Sequence, residues 1–255
     1  ANHIMNTYYS NYVIIAVPLF IFTANVMNSG KVTEMVFKFA SGLAGGRRGA
    51  LGHVNVIASL IFSGMTGSAI ADASGLGKME IDAMKKAGYD DAFSCAITAA
   101  SATVGPIFPP SIPLVMYAML SGASVGALFL GGMVPALLIC IGLMIYVSVV
   151  SKIRNYPREE KVPFRAFIAF TIQAIPALLT PIILLLGIYT GVMTPTEAGA
   201  VAGVYAILFA FLEYKAMSFK GLLNIIKDTI KDTGSVSLMV GAAAVISYIV
   251  AREQI

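Results

Sequence analysis

The stretch "FSGMTGSAIAD", residues 62–72, places two glycines, two serines, a threonine and an aspartate inside otherwise apolar sequence. Around it, the 255-residue chain is 58% hydrophobic and only 12% charged, with a mean hydropathy of +0.83. Soluble proteins carry roughly 25% charged residues. We therefore expect an integral membrane protein in a lipid bilayer and no binding to nucleic acid. Charged side chains are absent from residues 92–151, 166–196, 198–212 and 234–251.

The opening stretch predicts the tip of a re-entrant helical hairpin over residues 49–88. A helix needs about 20 residues to cross a hydrocarbon core of about 30 Å, and the limbs on either side of a turn at residues 64–67 are too short to cross comfortably. Basic residues flank both limbs, which favours the cytoplasmic side for both ends. These residues are Arg47 and Arg48 before the hairpin and Lys78, Lys85 and Lys86 near its end.

A second break in helical sequence lies inside the apolar segment 90–121. Proline lacks an N–H group and pushes the preceding residue out of the helical region, so a cluster of prolines predicts two half-helices joined by extended backbone. Non-helical backbone at membrane depth is tolerated only where it is buried in protein or lines a cavity. Secondary transporters use such breaks to bind ions and substrates. The breaking residues are Gly105, Pro106, Pro109, Pro110 and Pro113.

The rest of the chain predicts further membrane spans and an amphipathic helix. After the first span, Val32, Met35, Val36 and Phe39 recur at helical spacing, so residues 31–48 should form a helix lying flat in the membrane interface. The spans are expected at residues 10–30, with a kink at Pro18, and at residues 126–151, 166–187, 198–212 and 234–251.

Basic residues between the spans predict the side of each connection. Residues 152–165 carry five Lys and Arg against two Glu, and we expect a cytoplasmic loop there and another at 213–232. Both loops and both hairpin ends then fall on one side. The fold class is therefore all-α, a polytopic membrane protein with a re-entrant hairpin and a broken helix.

Hard oxygen atoms are concentrated at the two breaks, and they are suitable ligands for an alkali cation. The predicted Na⁺ site comprises oxygens of Ser63, Thr66 and Ser68 with the carbonyls of Gly105, Phe108 and Pro110. The alternative is that these small residues serve only close helix packing.

A second group of residues, Asp72, Ser111 and Gly67, is predicted to serve substrate binding or transport. An aspartate in apolar sequence is a functional candidate by default. Asp72 could instead cap the following helix, brace the hairpin tip or carry a proton.

Several other polar residues have structural interpretations. We expect His53 and Asn55 to be hydrogen-bonded structural residues, and Glu197 to complete a helix-capping pattern that begins at Thr194. Both cysteines, Cys95 and Cys140, are expected to be small buried side chains. An intramembrane serine hydrolase would need a histidine from another apolar helix, and His3 and His53 are the only histidines in the sequence. We therefore expect no enzyme.

Three segments resemble the large membrane subunit of tripartite ATP-independent periplasmic (TRAP) transporters, the DctM type. They are "GHVNVIASLIFSGMTGSAIADASGLG" (52–77), "GYDDAFSCAITAASATVGPIFPPSIPLVMYA" (88–118) and "GVMTPTEAGAVAGVYA" (191–206). The resemblance implies an elevator-type secondary transporter that imports organic anions with Na⁺ across the bacterial inner membrane. C4-dicarboxylates, sialic acid and related sugar acids are the implied substrates.

The resemblance also implies partners and sites. A periplasmic binding protein would deliver the substrate, and a small four-helix membrane subunit would stand beside the chain. The implied sodium site coincides with the oxygen ligands named above, and Asp72 matches an acidic position linked to transport. Thr66 stands where the family often has serine, which keeps the oxygen ligand.

The implied domain organisation has three parts. Residues 1–48 and 166–255 would be scaffold, and residues 49–151 would move as the transport domain, with the hairpin 49–88, the broken helix 90–121 and the helix 126–151. Family members are longer and carry an inverted second half. We therefore expect a fragment, ending before a second hairpin and unable to transport alone. The competing hypothesis is a structural or channel-like membrane subunit.

Overall fold

The computed structural model describes residues 12–28, 30–212 and 218–253. Within them the chain is helical and contains no β-strand. A short 3₁₀ turn, Tyr12–Ile15, precedes the helices α1 (Ala16–Met27), α2 (Gly30–Ala44), α3 (Ala50–Thr66), α4 (Ala69–Ser74), α5 (Leu76–Lys86), α6 (Asp91–Ala102), α7 (Ile112–Ser121), α8 (Val125–Ile153), α9 (Phe164–Tyr189), α10 (Pro195–Leu212) and α11 (Phe219–Glu253).

Helices α8, α9 and α10 are long and apolar enough to cross a membrane, with 29, 26 and 18 residues. They confirm the helices predicted at residues 126–151, 166–187 and 198–212. Large apolar side chains remain exposed on them, as expected for surfaces that face lipid. Examples are Leu138, which is 63% exposed, Ile172 at 62% and Leu208 at 54%.

The start of α10 confirms the predicted capping pattern. The Thr194 N–H donates to Glu197 Oε2 at 2.7 Å, and the Glu197 N–H donates to Thr194 Oγ1 at 3.3 Å. This reciprocal pair satisfies two N–H groups that have no partner inside the helix.

The first predicted span is only partly visible. Residues 10 and 11 lie outside the described residues, and α1 begins at Ala16 and ends at Met27. Pro18 lies in the first turn of α1, directly after the 3₁₀ turn Tyr12–Ile15. The kink at Pro18 stays a prediction.

Helix α2 confirms the predicted amphipathic helix. Val32, Val36 and Ala40 are fully buried in a cluster shared with α3 and α9. Phe39 stacks on Phe167 of α9 with ring centroids 6.0 Å apart. The apolar face of α2 therefore covers other helices of the same chain, and its orientation to a membrane stays a prediction.

Helix α11 corrects the predicted loop at 213–232. Residues 213–217 lie outside the described residues, but residues 219–232 are helical and continue without a break into the apolar segment 234–251. The Ser218 side chain caps this helix by accepting a hydrogen bond from the Gly221 N–H at 3.1 Å. A cap and a run without proline favour helix over loop, however charged the residues are.

Both ends of the hairpin meet the 152–165 connection at one end of the molecule. Arg48 and Arg158 form an isolated antiparallel bridge, and the Gly49 N–H donates to the Pro157 carbonyl at 3.3 Å. Tyr89 stacks on Tyr156 with ring centroids 4.5 Å apart. These contacts place the three segments at one end of the molecule, which agrees with the prediction that they share one side of the membrane. Their cytoplasmic location stays a prediction.

The two cysteines differ. Cys140 is 4% exposed, as predicted, but Cys95 is exposed. Helix α6 buries the face that carries Phe93, Ile97 and Ser101, and Cys95 lies on the opposite face. Local sequence shows that a helix is apolar, but it does not show which face of that helix packs against other helices.

Candidate functional site

The hairpin reverses at Gly67 and Ser68, three residues later than the start of the predicted turn. Gly67 adopts the left-handed conformation (φ 61°, ψ 20°), and its N–H donates to the Ser63 carbonyl at 2.9 Å. Ser68 is extended and its hydroxyl caps α4 by accepting from the Ala71 N–H at 3.3 Å. Gly64 therefore lies inside α3, which corrects the predicted turn at 64–67.

The break in the second apolar segment is confirmed. Helix α6 ends at Ala102, but the link to α7 is not the extended backbone that was predicted, because residues 103–107 form turns. The Val104 N–H donates to the Ser101 carbonyl at 3.0 Å, and the Phe108 N–H donates to the Val104 carbonyl at 2.8 Å. The Ser111 hydroxyl accepts from the Leu114 N–H at 3.3 Å and donates to the Pro106 carbonyl. Ser111 therefore joins the two ends of the break and caps α7. Its predicted role in substrate binding or transport stays a prediction.

The tip of the hairpin and the break in the helix lie against each other. A Cβ atom placed on Gly67 would lie 2.2 Å from the Pro110 carbonyl oxygen. A Cβ atom on Gly105 would lie 3.0 Å from the Ser68 carbonyl carbon. Backbone meets backbone at both places, which only glycine permits at such distances. The structure thus brings together the two groups of residues that the sequence marked separately.

Two of the three hydroxyls in the predicted Na⁺ site, those of Ser63 and Thr66, donate hydrogen bonds to carbonyls of their own helix. Ser63 is fully buried and donates to the Ser59 carbonyl at 2.6 Å, and Thr66 donates to the Phe62 carbonyl at 3.2 Å. A hydroxyl that donates keeps two lone pairs, so both oxygens can still face a cation. Neutral hydroxyl and carbonyl oxygens are a donor set that fits a hard monovalent ion.

A cavity of about 300 Å³ opens beside the tip. Thr66 and Ser68 line it from the hairpin, and Asn25, Asn28 and Asp232 line it from α1 and α11. Asn25 donates to Asp232 Oδ2 and to Thr229 Oγ1, both at 3.2 Å. The sequence reasoning missed these residues, although two amides three residues apart in an apolar helix are a visible signal.

Asp72 lies on α4 behind the tip and does not line this cavity. Its side chain is 1% exposed, and neither carboxylate oxygen accepts a hydrogen bond from the described residues. The helix-capping alternative for Asp72 is wrong, because Ser68 caps α4 and no side chain caps α5. The bracing and proton-carrying alternatives stay predictions.

A buried polar network joins the two limbs of the hairpin to α6. Asn55 donates to Glu80 Oε2 and to Thr98 Oγ1, both at 2.7 Å, and accepts from the Ser101 hydroxyl at 2.7 Å. The Ser59 hydroxyl continues the network to Ser101 at 3.0 Å. Asn55 is therefore hydrogen-bonded, as predicted.

Glu80 is a second buried acid that the sequence reasoning missed. Its side chain is 1% exposed, and Oε1 has no hydrogen-bond partner among the described residues. The signal is its position, because Leu76, Glu80 and Met84 follow at four-residue spacing and all three are buried. An acid in the apolar stripe of a helix faces the interior.

His53 also has a partner. Its Nε2 lies 3.2 Å from the Ser148 hydroxyl of α8, and the side chain is 6% exposed. This contact agrees with the structural role predicted for His53.

These features define the class: a polytopic helical membrane protein in which a re-entrant hairpin and a broken helix form one oxygen-rich contact beside a cavity, an arrangement used by secondary transporters. A profile of the family "Tripartite ATP-independent periplasmic transporter, DctM component" matches residues 1–255. The chain belongs to this family. Its members are transporters, so the prediction of no enzyme is confirmed.

Curated proteins of similar sequence agree with this assignment. The chain is 46% identical over 245 residues to the sialic acid TRAP transporter large permease protein SiaM of Vibrio cholerae, covering 96% of this chain and 57% of that protein. It is 42% identical over 242 residues to the sialic acid permease SiaT of Haemophilus influenzae (95% and 39%). It is 33% identical over 245 residues to the C4-dicarboxylate large permease DctM of Pseudomonas aeruginosa (96% and 57%). The chain thus spans about half the length of the curated relatives it matches.

Proposed function

We propose that this chain is part of a large permease that imports small organic anions together with Na⁺ across the bacterial inner membrane. The observation that carries the proposal is the backbone contact between Gly67 at the hairpin tip and Pro110 in the broken helix. Two breaks that meet inside an apolar protein leave oxygen atoms facing each other instead of lipid. The names of the relatives support sialic acid or a C4-dicarboxylate as the substrate class.

The residues that would hold Na⁺ are Ser63, Thr66 and Ser68 with the carbonyls of Gly105, Phe108 and Pro110. A bound cation would supply positive charge where an organic anion has to be attracted. Around it, the chain itself provides the rigid parts. Gly67 allows the reversal, Ser68 caps α4, and Ser111 caps α7.

The cavity beside the tip is the proposed place for the substrate. The Asn28 amide can donate to hydroxyl and carboxylate oxygens, whereas both N–H donors of Asn25 are used by Thr229 and Asp232. Ser68 lines the same cavity from the hairpin. Because residues of α1 and α11 line the cavity together with residues of the hairpin, the cavity lies at the proposed border between scaffold (1–48, 166–255) and transport domain (49–151). Movement of one against the other would be the elevator step. The proposed partners are a periplasmic binding protein and a small four-helix membrane subunit.

The test uses the full-length permease with its small subunit in proteoliposomes, supplied with binding protein and radiolabelled substrate. We expect uptake to require a Na⁺ gradient and binding protein. Thr66→Val should raise the Na⁺ concentration for half-maximal uptake roughly tenfold, because loss of one ligand to an ion costs about 1.4 kcal/mol or more. Thr66→Ser should keep the native value, since it keeps the oxygen.

Ser121→Ala is the control for removing a hydroxyl. Ser121 is exposed on α7 and donates to its own helix at the Tyr117 carbonyl, 2.7 Å away. Uptake that continues without both Na⁺ and binding protein would contradict the proposal. Conduction that does not saturate with substrate would favour the channel-like alternative.

A further inference from the structure

A basic pocket lies at the end of the molecule opposite the tip cavity, between the start of α3 and the end of α8. Its volume is about 410 Å³. Four of the six lining residues are cationic and none is acidic. The lining residues are Arg47, Arg48, His53, Ser148, Lys152 and Arg158.

Two of the four cationic side chains form hydrogen bonds within the protein. Arg48 Nη1 donates to Asn155 Oδ1 at 3.1 Å, and Arg158 Nε donates to the Gly46 carbonyl at 2.9 Å. These two arginines brace the connection after α8. Arg47 and Lys152, in contrast, are exposed and make no hydrogen bond or ion pair with the residues that the structure describes.

Carboxylates at the same end do not neutralise the pocket. Asp90 is paired with Arg154 and accepts a hydrogen bond from the Tyr156 hydroxyl. Asp91 faces Lys85 at 3.1 Å. Glu159 and Glu160, which follow Arg158, neither line the pocket nor form an ion pair with its cations among the described residues. The pocket is therefore a cationic concavity without an internal counterion among the described residues, which favours an external anion.

The floor of the pocket is polar and largely buried. His53 is 6% exposed, its Nε2 contacts the Ser148 hydroxyl, and its Nδ1 has no partner among the described residues. The Ser148 hydroxyl donates to the Met144 carbonyl at 2.8 Å, so His53 Nε2–H donates to Ser148 and Nδ1 is an acceptor in the neutral ring. A phosphate oxygen therefore does not bind the ring directly, and Arg47 and Lys152 are the donors that would hold it.

The position of the pocket selects the source of the anion. Helix α8 has 29 residues. At 1.5 Å per residue, α8 is about 43 Å long, whereas the hydrocarbon core of a bilayer is about 30 Å thick. The last turn of α8 therefore reaches the headgroup region. Lys152 lies in that turn, seven residues after Ile145 and three after Val149, which are 60% and 50% exposed. Residues at this spacing share one face of a helix. An apolar face thus runs up to the pocket.

We propose that this pocket binds the phosphate group of an anionic phospholipid, whose acyl chains lie on the exposed face of α8. Charged hydrogen bonds from arginine and lysine suit a phosphate diester, and basic pockets beside membrane helices hold anionic headgroups. Free phosphate shares this charge but brings no acyl chain to cover Ile145 and Val149. The bound headgroup ties the α2–α3 connection, through Arg47, to the end of α8, through Lys152.

The experiment titrates dioleoylphosphatidylglycerol into the delipidated full-length protein in detergent and counts bound lipid by native mass spectrometry. The test variant is Arg47→Gln/Lys152→Gln, which leaves the bracing Arg48 and Arg158 in place. We expect about 25-fold weaker binding, since each cation near an anionic lipid contributes about fivefold. Lys78→Gln/Lys86→Gln removes two exposed charges from α5, outside the pocket, and should bind like the native protein.

Two further arms distinguish the sources of the anion. Dioleoylphosphatidylcholine should bind weakly, and sn-glycerol 1-phosphate should not displace phosphatidylglycerol at equal concentration. Unchanged lipid binding by Arg47→Gln/Lys152→Gln, with the variant eluting as a single folded species, would overturn the proposal. So would an equal loss in the α5 control, displacement by glycerol phosphate, or displacement by succinate or sialic acid.

Discussion

Gly67 shows how one residue sets the geometry of the hairpin tip. Its left-handed backbone favours glycine, and the space where a Cβ atom would stand is filled by the Pro110 carbonyl oxygen 2.2 Å away. A side chain at this position therefore faces two separate penalties. One is conformational and belongs to the turn, and the other is steric and belongs to the contact with the broken helix.

Gly67→Ala should separate the tip from the break. We expect it to destabilise the full-length protein by more than about 1–2 kcal/mol, the cost of the left-handed conformation alone. Gly122→Ala is a matched control, because Gly122 has a φ of 73° and open space around it. It should show only the conformational cost. The measurement is the temperature at which half of the protein loses its monodisperse gel-filtration peak, and equal shifts for the two variants would contradict the steric contact.

Polar residues in the interior show the limits of local interpretation. Asn55 has three hydrogen-bond partners in the network, and they come from α5 and α6. The separation from Asn55 to Glu80 is 25 residues and to Thr98 is 43 residues. A buried amide needs partners, but nothing near Asn55 in the chain names them.

At the scale of elements, the end of α8 is joined to the base of the hairpin by Asp90. The Asp90 side chain caps α6 by accepting from the Phe93 N–H at 2.7 Å, and it is paired with Arg154 and Tyr156. The hydrogen bond from the Tyr156 hydroxyl, followed by the Phe93 cap, holds the pKa of Asp90 below its ordinary value of 3.8. The Asp90 carboxylate therefore contacts the start of α6, the end of α8 and the connection that follows α8.

This junction predicts a pH dependence of stability. A carboxyl whose pKa is lower in the folded state stabilises the protein above its unfolded pKa, and this stabilisation is lost as pH falls through the folded pKa. The difference in thermal midpoint between the native protein and Asp90→Asn should therefore shrink as pH falls from about 6 to about 3. Asp82→Asn removes an exposed carboxylate of α5 and serves as control. A difference that stays constant with pH would contradict the role of Asp90.

At the scale of the whole molecule, both hairpin ends and the α8–α9 connection lie together, and the α9–α10 turn lies at the far end of α9. With 26 residues, α9 is long enough to separate the two ends across a membrane. The positive charges follow the same division, because the α9–α10 turn carries none. A consistent sidedness follows from length and charge together.

Single cysteines should report this sidedness. In a background of Cys95→Ser/Cys140→Ala, we expect Lys86→Cys and Glu160→Cys to react with a membrane-impermeant maleimide from the same face. Val192→Cys, at a position 75% exposed in the far turn, should react from the other face. Inside-out and right-side-out vesicles distinguish the faces. Labelling of positions 86 and 160 from opposite faces would contradict the re-entrant hairpin.

Much of the architecture follows from residues that are neighbours in the chain. The prolines at 106–113 break a helix, and Thr194 and Glu197 cap one, because both effects act within one or two turns. Long uncharged runs give helices that are long and apolar enough to cross a membrane. The same reasoning erred where a local signal was misjudged. The charged segment 219–232 is helical, since Ser218 caps it and no proline stops it.

The sequence by itself determined that this is a helical membrane protein of the DctM family type, with a polar hairpin tip and a broken helix. Only the tertiary structure decided that Gly67 meets Pro110, that Glu80 is buried against Asn55 while Cys95 is exposed, and that Arg47 and Lys152 share one pocket. The physical reason is packing. Which helix faces are covered depends on close contacts between residues far apart in the chain, and no local pattern contains that information.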